Sequence, residues 1–98
     1  MTAPERIAIA AGAELRRMRV RAGLSQRQVA VLLDSHRPII CRIERGAHMP
    51  TIETCQLFAA VTGGDPRDVL SAVDQALGLG RLRRPRVSAR AAPQALAT

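Results

Sequence analysis

Arginine is the residue type in this chain with the clearest chemical bias. All 15 basic residues are Arg, against 8 acids, for a net charge of +7 over 98 residues. A guanidinium presents its N–H donors in a planar fork that fits phosphate, and binding a nucleic acid releases condensed counterions. Clustered Arg therefore points to a polyanion partner, although a solvated Arg- and Ala-rich surface has the same composition. Placement along the chain is uneven. Residues 1–50 carry nine Arg against Glu5, Glu14, Asp34 and Glu44; residues 51–78 carry only Arg67 against four acids; residues 79–98 add five Arg and no acid.

Catalysis has less to work with. The sequence shows no nucleophile–base pair, no metal-ligand spacing and no glycine-rich phosphate loop, so neither enzymatic activity nor a cofactor or metal is expected. Cys41 and Cys55 read as small hydrophobes that remain thiols in a reducing compartment. His36 reads as polar surface. No apolar run approaches the length of a membrane span and no apolar leader opens the chain, which suggests a cytoplasmic protein.

The elements that must position the arginines are helical. Residues 1–11 read as a short lead in which Pro4 can start a helical turn. The first strong helix runs over 13–22, with Leu15, Met18, Arg19 and Ala22 on one face, and stops at Gly23. Ser25 caps the second helix and forms a capping box with Gln28; Val29, Ala30 and Leu33 face inward. A turn at Asp34 and Ser35 leads to a third helix over about 37–45, with Ile40 and Ile43 inward and Gly46 as its stop. Thr51 caps a fourth helix with Ile52, Cys55, Phe58 and Ala59 buried. Asp65, Pro66 and Asp68 start a fifth, running to about Leu77. Beyond Gly78 the chain is rich in Arg, Ala and Pro without a period. The organisation expected is a lead (1–11), an all-α domain (12–78) and a disordered basic tail (79–98).

Residues 24–46, LSQRQVAVLLDSHRPIICRIERG, hold two short helices, a tight turn and a glycine stop. Ala30 suits a steep helix crossing, where only a small side chain lets the backbones approach. This is the spacing of a helix-turn-helix, whose second helix projects its N-terminal half into a groove about 12 Å wide.

The chain here resembles the phage-repressor-like (Cro/C1, XRE) helix-turn-helix family. The resemblance rests on LRRMR at 15–19, GLSQ at 23–26, VA at 29–30, RIERG at 42–46, PTIET at 50–54 and DPRDVL at 65–70. It implies a five-helix bundle that binds double-stranded operator DNA as a homodimer and regulates transcription. Arg37, Pro38, Ile39 and Arg42 fall where the family reads bases. Arg37 or Arg42 would bond guanine O6 and N7, or hold a phosphate instead, and Ile39 would pack on a thymine methyl. Gln26 matches a phosphate contact at a helix N-terminus; Arg27, Arg45 and His48 are further phosphate candidates. Arg19 and Glu44 are expected to form an inward ion pair that orients the reading helix.

Three positions depart from the family pattern. Asp34 stands where glycine is usual and can adopt a left-handed conformation at modest cost. Ser35 and His36 replace an apolar residue and a capping hydroxyl, so Ser35 is expected to cap one residue early, with Pro38 inside the first turn. The stripe Val69, Leu70, Val73, Leu77 could meet a second copy or a different protein, as in an antitoxin that masks its toxin.

Overall fold

A computed structural model describes residues 1–79 and contains five helices: α1 (Ala3–Arg21), α2 (Gln26–Leu32), α3 (Arg37–Glu44), α4 (Ile52–Thr62) and α5 (Pro66–Ala76). The fold is all-α. The expected basic tail, from residue 80 onward, lies outside the described residues. No described helix is long and apolar enough to cross a membrane.

α1 begins ten residues earlier than the apolar spacing suggested. Thr2 and Glu5 form a capping box: the Glu5 N–H donates to Thr2 Oγ1 at 3.3 Å, and the Thr2 N–H donates to Glu5 Oε2 at 2.9 Å. Pro4 occupies the first turn, where its missing N–H costs nothing. The lead is thus the first half of α1. Its inward stripe of Ala8, Ala11 and Gly12 continues into Leu15 and Met18. Small residues gave little hydrophobic signal, yet smallness is what the packing needs. Ala22, expected inward, is exposed as the C-cap residue.

The core draws its largest fully buried side chains from four helices: Leu15 of α1, Val29 of α2, Ile40 of α3 and Phe58 of α4. Val69 adds α5, and Ala11, Ala30 and Ala59 fill the narrow places. Of the four α4 positions expected to be buried, Phe58 and Ala59 are, and Cys55 is half-buried. Ile52 is not: it is 78% exposed, at the first turn of α4 on the lip of a groove.

α1, α2 and α3 close in the same way, with paired backbone bonds that satisfy the last carbonyls. After α1, Gly23 N donates to Val20 O and Leu24 N to Arg19 O; after α2, Asp34 N donates to Val31 O and Ser35 N to Ala30 O; after α3, Gly46 N donates to Ile43 O and Ala47 N to Arg42 O. Asp34 takes the left-handed position between α2 and α3 at φ 52°. Ser35 is consequently part of the closing motif of α2 and does not cap α3. The N-cap of α3 is His36, without a side-chain cap bond, and Pro38 lies in the first turn.

Two glycines let α1 lie against the end of α3. A Cβ on Gly12 would overlap the carbonyl oxygen of Ile43, and one on Gly46 would lie 2.6 Å from Ile9 Cα. Both obstacles are backbone. In an unpacked helix Gly→Ala adds about 1 kcal/mol of stability; Gly12→Ala is expected to cost about 1–3 kcal/mol through overpacking. Thermal unfolding of the variant should show a fall of several degrees.

Candidate nucleic-acid interface

α3 has two unlike faces because its apolar residues recur at helical spacing. Ile40, Ile43 and Glu44 are buried, whereas Arg37, Pro38 and Arg42 are exposed, as is Arg45 at the C-cap. Pro38, Arg42 and Arg45 are spaced four and three apart, which places them in one outward row. Arg37 flanks that row on the side of α2. Ile39 differs from the other expected readers, being half-buried and packed against the core. It helps to seat α3 with part of its side chain and keeps the rest exposed.

Arg37 and Arg27 line one open concavity together with Ser25, Gln26 and Arg19. The structure thus brings the starts of α2 and α3 to one side, with two exposed guanidinium groups between them. His48 is exposed in the loop after α3 and does not line this concavity.

Beneath this surface lies a network of charged groups. Arg19 forks Glu44, with Nε donating to Oε2 at 2.6 Å and Nη2 to Oε1 at 2.9 Å, while its Nη1 donates to the Leu24 carbonyl at 2.8 Å. Glu44 is buried and Arg19 nearly so. The hydrogen bond to Glu44 raises the Arg19 pKa above its ordinary value, so the guanidinium stays charged. Gln26 Nε2 donates to Glu44 Oε1 at 3.1 Å. Because a carboxylate accepts only, this contact fixes which way the Gln26 amide points and leaves its second N–H for another acceptor. No sequence signal announced the Gln26–Glu44 bond, since the two residues are 18 positions apart and join only when α2 and α3 cross.

Two compact helices that cross through a tight turn and a second helix with a basic outward face form the architecture of a helix-turn-helix. A family model described as a helix-turn-helix domain, of the Cro/C1 type, matches residues 10–87. The chain belongs to this helix-turn-helix family. A comparison with curated proteins gave no match. The helix-turn-helix match begins inside α1 and takes in all of α2 to α5, so the DNA-binding architecture accounts for nearly the whole described fold.

Charge divides this helix-turn-helix domain. α1, α2, α3 and the C-cap residue Arg45 together hold nine of the ten described arginines, whereas residues 51–78 hold Glu53, Asp65, Asp68 and Asp74 against Arg67. A polyanion is therefore favoured near the first three helices and disfavoured near α4 and α5.

Removing one partner of a buried pair is costly because the other charge is left behind. Glu44→Gln is expected to destabilise the fold by about 3 kcal/mol, the lower end of the range for buried pairs, since Arg19 keeps a solvent-facing edge. Replacing both partners, Arg19→Met with Glu44→Leu, should cost less than Glu44→Gln alone. Urea unfolding of the three proteins checks the order.

Proposed function

We propose that this protein is a sequence-specific DNA-binding transcriptional regulator that lays α3 in the major groove. The observation that carries this reading is the exposed row Pro38, Arg42 and Arg45, with Arg37 beside it, on a helix whose opposite face is locked to the core. Rigid seating matters because a bidentate base contact needs the guanidinium held in register with the base edge.

In this reading Arg37 and Arg42 supply the base contacts, each able to bond guanine O6 and N7, and Pro38 brings the backbone close to the groove floor without an N–H of its own. Gln26 donates its second amide N–H to a phosphate, in an orientation set by Glu44. Arg27 and Arg45 hold phosphates on either side, and His48 meets the backbone at the far end of the site. Arg19 and Glu44 touch no nucleic acid and act by holding Gln26 and α3 in place.

The test is binding of a duplex selected from a random pool, measured by fluorescence anisotropy at several salt concentrations. Affinity should fall steeply with salt. Arg42→Ala or Arg37→Ala should cost about 1–3 kcal/mol on the selected site and relax the preference for guanine at one position. Arg27→Ala should weaken all duplexes alike and reduce the salt slope by about 0.9. Salt-independent binding, or an Arg37→Ala and Arg42→Ala double variant that binds as tightly as the parent, overturns the proposal.

A further inference from the structure

An apolar groove of about 380 Å³ stays open between α1, α4 and α5. Ile7, Ile52, Cys55, Leu70 and Val73 line it, and Ile52 and Leu70 are 78% and 64% exposed. Contiguous apolar surface left in water marks a place where something binds. Its surroundings identify the occupant.

Charge is the first guide. Residues 51–78, which supply most of the groove, hold Glu53, Asp65, Asp68 and Asp74 against Arg67, and Arg67 is already paired to Asp65. Residues 80–87, GRLRRPRV, follow directly on the described chain and hold four Arg and no acid. A basic segment is drawn to this side and a polyanion is not. Reach is the second guide. Gly78, left-handed at φ 75°, ends the helical path of α5 and lets the chain leave its axis. Leu70 is eight residues back along α5, about 12 Å at the rise of a helix, and an extended chain covers that in about four residues. Leu82 stands four residues after Gly78 and is the first large apolar residue of the segment. Alternation along an extended chain sets Leu82 inward and Arg81 and Arg83 outward, where their long side chains can bend to carboxylates on the rim. The family match adds a third observation, since it runs on to residue 87, past the last described residue, Leu79. By its sequence the segment belongs with the domain.

We infer that residues 80–87 fold back along α5 and cover the groove, with Leu82 seated between Ile52 and Leu70 and the flanking arginines on the acidic rim. The occupant is thus a strap of the same chain. Exposed ion pairs contribute little each, so the apolar contact sets the strength of the closure and the charges set its direction. Nothing in this closure depends on DNA.

Cys55 reports on the groove because it lines it and is half-buried. In the full chain carrying Cys41→Ser, which leaves Cys55 as the sole thiol, alkylation by iodoacetamide without DNA should be slow. Leu82→Asp should speed it several-fold with unchanged helix content by circular dichroism. Arg81→Glu with Arg83→Glu should also speed it, at low salt more than at high salt, where the charges are screened. Leu82→Cys in the same background should, under mild oxidation, join position 82 to Cys55 within one chain, read by mass spectrometry as a monomer that has lost both thiol hydrogens. Equal alkylation rates in the Cys41→Ser chain with and without Leu82→Asp overturn the inference. Protection that grows with protein concentration, or oxidation that links only separate chains, also overturns it and gives the groove to a second copy.

Discussion

One buried carboxylate governs the orientation of α3. Glu44 sits in the last turn of α3, shielded from water, and accepts hydrogen bonds from Arg19 of α1 and Gln26 of α2. Apolar contacts through Ile40 and Ile43 hold α3 to the core but have no direction of their own. The guanidinium–carboxylate fork has one, because both of its bonds must be made in a plane. It therefore fixes how α3 is rotated about its axis, and with it which side chains face outward. Through Nη1, Arg19 also secures the Leu24 carbonyl, tying the α1–α2 link to the same point. The arrangement is costly to break and of modest net worth to stability. Its value lies in uniqueness of position.

That fork closes only because the backbones around it come close. Gly12 lets α1 lie directly against the carbonyls of Ile43 and Glu44, and Gly46 turns the chain away beneath Ile9. The short helices then have to end abruptly, and the same pair of backbone bonds ends α1, α2 and α3 in succession. Asp34 does the work of glycine at φ 52° in the turn that defines the motif. The result is an α3 whose N-terminus begins at a residue with no side-chain cap, His36, leaving its first turn open toward the concavity shared with Arg27.

Charge and shape differ between two sides of the domain. The arginine-rich side carries the exposed row of α3. The acidic side carries an apolar groove between α1, α4 and α5, with Ile52 and Leu70 exposed among the residues that line it. A single short chain thereby presents one basic surface and one apolar, acidic surface.

Much of this was legible in the residues. Three helix starts with cap residues, Ser25, Thr51 and Asp65, the glycine stops, the capping box of α2 and the inward Val29, Ala30, Ile40 and Ile43 follow from local chemistry and helical spacing, which act within a few residues. The left-handed Asp34 follows from the same rules. The first half of α1 did not, because Ala8, Ala11 and Gly12 mark a close helix contact by the absence of bulk, and hydrophobic periodicity registers only its presence. Ile52 sits at the expected register and is exposed, because nothing in the described chain covers the outer lip of the groove. Ser35 has a capping side chain but is consumed by the closure of α2. The sequence by itself determined α2 to α5, the caps of α2, α4 and α5 and the arginines on either side of the turn, since each depends on neighbours along the chain. Only the tertiary structure decided that Ile39 packs partly against the core and that Gln26 is held by Glu44. Those outcomes depend on how helices cross, and a crossing is set by side-chain volumes from distant parts of the chain acting together.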